Sequence, residues 1–198
     1  MGLHLWLFMS NYSTGTLKRL LDLTLSTVVL PFALLAVLLG ALAIFISTGS
    51  NPWFTQTRIG LHGRTFKIHK LRTLRMGANS DLSGMRANDP DIIWVGRVLR
   101  IWRIDELPQV INVLLGDMSW VGPRPERPHI VDRCLVEIPN YGKRHEVVPG
   151  ITGLAQIANP NATPDENAFK LQYDLEYIQR ASFLTDIRIL WKTVIAIG

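Results

Sequence analysis

The sequence predicts a mainly α fold with a minor β component, in which an N-terminal re-entrant membrane helix and interfacial amphipathic helices surround a small polar domain. Three observations carry this prediction. Residues 23–46 contain no charged side chain. Most of the remainder places apolar residues at helical spacing. One stretch, 54–74, alternates apolar and polar residues instead.

The uncharged run, LTLSTVVLPFALLAVLLGALAIFI, would reach about 36 Å as a straight helix, enough to cross the hydrocarbon core. It is too long for a signal peptide, and no small-residue cleavage pattern accompanies it. Pro31 removes one backbone hydrogen bond and is expected to bend the helix. Lys18 and Arg19 precede the run, and Arg58, Arg64 and Lys67 follow it, so positive charge gives no orientation. A hairpin that enters one leaflet and returns fits this symmetry. A kinked spanning helix is the alternative, because spanning helices tolerate proline. The natural boundary is a membrane segment over 1–50, with a second unit over 51–198.

In the second unit, residues 54–74 read as a short β-hairpin around Gly60 and Gly63, and 76–91 as a polar loop. Residues 92–103 (IIWVGRVLRIWR) interleave arginines and aromatics at helical spacing, which suits a helix in the headgroup layer. A helix is expected over 107–115, with Pro108 in its first turn and Gly116 ending it. The stretch 122–128 is too proline-rich for regular structure, and 149–153 reads as a tight turn. Residues 168–179 and 183–197 read as helices, the first amphipathic and the second mostly apolar.

The 198 residues carry a formal charge of +5, which favours anionic partners such as phosphorylated substrates or a lipid surface. Cys134 is the single cysteine, which excludes a disulfide framework and a thiolate metal cluster. The histidines show no metal-ligand spacing. Trp6, Trp53, Trp94, Trp102 and Trp191 fall in or beside the segments assigned to the membrane, as aromatic belts do.

Asp105 and Glu106 fall where a helix N-cap and first turn are expected. The simplest role for them is capping, worth about 1 kcal/mol. The same helix start favours anions, and a hard divalent ion held by one carboxylate and by phosphate oxygens would let a diphosphate approach. The other carboxylate is then placed to act as a nucleophile at phosphorus. Arg124 lies between Pro123 and Pro125, which fix φ on both sides, and its planar fork matches phosphate oxygens or a structural carboxylate. Arg100 lies close enough in sequence to face the acids if the segment is helical. Lys70 and Arg72 offer further phosphate contacts, or only a solvated strand edge.

At these residues the chain resembles the bacterial monotopic phosphoglycosyl transferases, the polyprenyl-phosphate sugar-phosphate transferases, in their minimal catalytic form. The matching pieces are Lys18-Arg19-Leu20-Leu21-Asp22, Phe54-Thr55-Gln56-Thr57-Arg58-Ile59-Gly60 and Phe66-Lys67-Ile68-His69-Lys70-Leu71-Arg72-Thr73. Further on come Ile104-Asp105-Glu106-Leu107-Pro108-Gln109, Asn112-Val113-Leu114, the 116–125 block GDMSWVGPRP, and Pro149-Gly150-Ile151-Thr152-Gly153. The resemblance implies a small catalytic domain facing the cytosol at the bacterial cytoplasmic membrane. It implies Mg²⁺, a UDP-sugar donor and a polyprenyl (undecaprenyl) phosphate acceptor. Asp105 would attack the β-phosphorus and release UMP, and Glu106 would be the metal ligand. Lys70, Arg100 and Arg124 match phosphate or nucleotide contacts. Three places depart from the family's pattern: Leu30-Pro31 comes nine residues after Asp22, Val148 stands where a basic residue is usual, and Asn159-Pro160-Asn161 replaces a Gly-Arg. No nucleic-acid partner is expected, and a homo-oligomer is compatible with the sequence. A non-catalytic, membrane-anchored basic module that binds anionic lipid is the competing class. It leaves the paired acids unexplained.

Overall fold

The computed structural model describes residues 12–78, 89–159 and 166–197. Trp6, most of the loop expected over 76–91, and Pro160 and Asn161 lie outside the described residues. Helix α1 spans Thr16–Thr48 and ends on Gly49, whose φ of 63° suits a residue without a Cβ. It is long and apolar enough to cross a membrane, with a mean hydropathy of 2.8. The helix continues through Pro31, so the segment is one helix of 33 residues with the proline inside it. Pro31 is exposed.

One line of positions down α1 is buried: Lys18, Asp22, Ser26, Ala33, Val37, Gly40 and Ile44. Its first half docks through polar groups. Lys18 Nζ donates to Asp186 Oδ2 at 2.6 Å, and Asp22 Oδ1 accepts from Ser119 Oγ at 2.9 Å and from Trp120 N at 3.0 Å. Ser26 Oγ accepts from Trp120 Nε1 at 3.0 Å. Its second half docks through apolar groups, with Val37 and Ile44 packed against Leu71, Ile93, Val95 and Leu99. Both ends are therefore held by one body. Leu35, Leu38 and Phe45 on its outer face are exposed, a surface that apolar surroundings would cover.

Strands β1 (Trp53–Ile59) and β2 (Thr65–Leu71) form the expected antiparallel hairpin, with Trp53 opposite Leu71 and Ile59 opposite Thr65. Helix α2 (Trp94–Ile101) buries Val95, Gly96 and Leu99 and exposes Trp94 and Ile101. The helix expected over 107–115 is split into a 3-10 turn, Ile104–Gln109, and a short α3, Val110–Leu115. Pro108 lies inside the turn, and a proline disfavours α geometry at the residue before it. Gly116 ends α3 as predicted, with φ 91°.

Strands β3 (Ser119–Val121) and β4 (Gly150–Thr152) pair in parallel, Ser119 with Gly150 and Val121 with Thr152. The tight turn expected at 149–153 is thus corrected to a strand, whose bonding partner is distant in sequence. Between them come α4 (Pro128–Glu137) and a 3-10 turn, Tyr141–Glu146, neither of which the sequence predicts. After α5 (Leu154–Ala158) come α6 (Asn167–Arg180) and α7 (Phe183–Ile197), close to the expected limits. Leu184, Trp191 and Val194 on α7 are exposed.

Candidate active site

Lys70 is delivered by β2, and Asn112 of α3 fixes that strand in place. The Asn112 Nδ2 donates to Lys67 O at 2.7 Å, and its Oδ1 accepts from His69 N at 3.2 Å. A fully buried carboxamide (0% exposed) thereby pairs with the strand edge much as a neighbouring strand would.

The 3-10 turn that follows α2 is entered through Arg103, which has φ 56° and makes no side-chain cap bond. Asp105 therefore caps nothing, contrary to its expected place. It and Glu106 lie inside the turn, 7% and 8% exposed. Glu106 Oε1 accepts from Lys70 Nζ at 2.7 Å and from Arg124 Nη2, and Oε2 accepts from Arg124 Nη1 at 3.3 Å. Burial opposes its charge, but Arg124 and Lys70 hold the carboxyl well below the ordinary range. Asp105 is treated differently by the fold. Its Oδ1 is buried without a hydrogen-bond partner. Burial first, and then the neighbouring charge of Glu106, push its carboxyl up to about 6.

Arg124 projects from the turn between Pro123 and Pro125, and its side chain is 34% exposed. Asp105, Glu106, Lys70 and Arg124 thus converge, with both prolines as buried flanks. Arg100 donates from Nε to Thr73 Oγ1 at 2.9 Å, and its charge acts on Asp105. Arg72 does other work. Its guanidinium donates to Asn51 O at 2.7 Å and to Leu74 O and Thr48 Oγ1 at 2.9 Å each, fastening the end of α1 to the hairpin. A strut replaces the phosphate contact expected there. Arg144 near the site was not foreseen, and Arg58 and Asn112, though inside quoted motif pieces, were given no role there. Local spacing does not show these roles, because each residue acts on backbone from another element.

Among the described residues, no group of three or more His, Cys, Asp or Glu side chains gathers to hold a metal ion. Adjacent carboxylates with one unpartnered oxygen suit a different arrangement, a hard ion whose coordination is completed by phosphate oxygens.

A family model for bacterial sugar transferases matches residues 13–198 of this chain. The chain belongs to that family. This sugar transferase is 39% identical over 181 residues to a UDP-glucose:undecaprenyl-phosphate glucose-1-phosphate transferase of Caulobacter vibrioides, covering 89% of this chain and 68% of the relative. It is 40% identical to a UDP-N-acetylgalactosamine-undecaprenyl-phosphate N-acetylgalactosaminephosphotransferase of Aeromonas hydrophila, covering 90% of this chain but only 43% of the relative. Against an exopolysaccharide production protein, PSS, of Rhizobium leguminosarum, identity is 37%, covering 91% and 94% of the two chains. The transferase thus spans less than half of some relatives and nearly the whole of others.

Proposed function

We propose that this transferase moves a sugar 1-phosphate from a UDP-sugar to undecaprenyl phosphate at the cytoplasmic face of a bacterial membrane, for synthesis of a surface polysaccharide. The donor and acceptor classes follow the named relatives. The observation that carries the chemistry is Asp105: a buried carboxylate with a free oxygen, beside a second carboxylate already held by two cations.

The reaction runs in two displacements. Asp105 attacks the β-phosphorus of the UDP-sugar, forming an acyl phosphate as the bond to the α-phosphate oxygen breaks, and UMP leaves. A phosphate oxygen of the lipid then attacks the same phosphorus, and the Asp105 carboxylate leaves. No water is consumed, and each step exchanges one P–O bond for another. Lys70 and Arg124 neutralise the transferring phosphoryl group. The exposed arm of Arg124 can swing from Glu106 to a phosphate, while the two prolines keep its base fixed. Once Arg124 has moved to the phosphate, the vacated Oε2 of Glu106 and the substrate phosphates would hold Mg²⁺, which would supply the charge neutralisation that lets two carboxylates face a diphosphate. Covalent catalysis suits this fold because a soluble donor and a lipid acceptor use one site in turn. The outward apolar face of α1 suits contact with lipid tails, which would keep the domain at the membrane where the acceptor lies.

The test omits the acceptor. With Mg²⁺ and a panel of UDP-sugars, wild-type protein should release about one UMP per chain and gain the phosphosugar mass on the peptide containing Asp105. An Asp105→Asn variant should do neither. UMP release only in the presence of the lipid acceptor would replace the covalent mechanism with direct transfer.

A further inference from the structure

Four consecutive carbonyl oxygens in the turn that carries Arg124 are each held by a donor from elsewhere in the chain. Pro123 O accepts from Gly150 N at 2.9 Å, and Glu126 O accepts from Ile59 N at 3.0 Å. Arg124 O accepts from Arg144 Nη2 at 2.8 Å, and Pro125 O accepts from Arg58 Nη1 at 3.1 Å. Two of the donors are backbone amides. The other two are arginine side chains withdrawn from water, which is costly unless each is paired. Arg144 is paired by Asp174 Oδ2, 3.0 Å from its Nε and 2.8 Å from its Nη2, and donates to Tyr141 Oη at 2.7 Å. Arg58 donates to Gln56 Oε1 at 2.7 Å and lies 3.8 Å from Glu126 Oε2.

This turn needs outside donors for a plain reason. Pro123 and Pro125 have no N–H, so the segment cannot close through its own backbone hydrogen bonds. Proline fixes its own φ, and Pro125 biases ψ of Arg124 towards extended values without fixing it. Within that range the tilt of the peptide planes after Arg124 and Pro125 is held by the grip of the two arginines on their carbonyls. The Arg144 side chain is 2% exposed, so it has no access to a soluble donor.

We infer that Arg144 and Arg58 are positioning residues for Arg124. They fix the two peptide planes that follow it and so aim its guanidinium at Glu106 and at the incoming phosphate. The inference rests on the phosphate-binding role of Arg124 proposed above, and its test separates the two.

Arg144→Lys keeps a charge beside Asp174, but one ammonium cannot serve Asp174, Tyr141 and Arg124 O with the geometry of the arginine fork. The experiment is a double-mutant cycle with Arg124→Gln, read both by the rate of UMP release at subsaturating donor and by affinity for inorganic pyrophosphate. Alone, Arg144→Lys should lower both readings roughly 10- to 100-fold, the usual effect of misplacing an active-site group by about 1 Å. In the Arg124→Gln background it should lower neither by more than about twofold. Equal losses in the two backgrounds would show that Arg144 only supports the fold, and would overturn the inference. If Arg144→Lys does not fold, Arg58→Lys enters the same cycle with the same expected outcome. Wild-type protein that releases no UMP from any donor would refute the proposed function, and the pyrophosphate arm would still decide whether the arginines brace the turn.

Discussion

Asp105→Asn should make the protein more stable while abolishing its chemistry. The Asp105 carboxyl is raised from 3.8 to about 6, by burial first and by Glu106 second. Ionising it at pH 8 therefore costs the folded state about 3 kcal/mol relative to the unfolded chain. Asparagine has nearly the same shape and carries no charge, so the variant escapes that cost. A chain of 198 residues unfolds with an entropy of about 0.4 kcal/mol/K, so the gain corresponds to a midpoint about 7 °C higher. The pH dependence follows from the direction of the shift. A carboxyl whose folded value is raised favours the folded state at low pH, so wild type gains stability as pH falls from above 6 towards 4. The advantage of Asp105→Asn should shrink over that window and vanish below it. The assay is thermal unfolding in detergent, with chelator and without nucleotide, between pH 4 and pH 8. A variant less stable than wild type at pH 8, or a difference independent of pH, would refute the view that the fold strains this carboxylate.

Other outcomes follow from the same geometry. Chelation of divalent ions should end UMP release and added Mg²⁺ should restore it, whereas Glu106→Gln should stay inactive at any Mg²⁺ concentration. Asn112→Ala removes both bonds to the edge of β2 and should cost about 2–4 kcal/mol in thermal unfolding. It should also slow the donor half-reaction, because Lys70 loses its register against Glu106. A Cβ on Gly150 would meet the backbone N of Gly122 and lie 2.7 Å from Gly122 Cα. Gly150→Ala should therefore destabilise by about 1–3 kcal/mol and lower activity further by displacing the Pro123–Arg124 turn.

The paired acids and the proline-flanked arginine were legible before any coordinates because their chemistry is local: residue types and fixed φ angles are written in a few adjacent letters. The hairpin of β1 and β2 was legible through its alternation, and α6 and α7 through their helical period. The roles of Arg72 and Arg144 were not legible. An arginine beside a phosphate motif and an arginine gripping a distant carbonyl look the same in a chain of letters. Strand β4 failed for the same reason, since its partner is β3 and its own three residues read as a turn. At Pro31 the helix runs through without interruption, with buried positions on either side of it.

The sequence by itself determined the long apolar helix, the family, and the carboxylate and arginine on which the proposed chemistry depends. These follow from composition, period and short motifs, each confined to a stretch of chain. Only the tertiary structure decided which of the two carboxylates is left free. Burial and neighbouring charge are properties of packed surroundings, and Lys70 and Arg124 reach Glu106 from segments far apart in the chain while Asp105 Oδ1 receives no partner.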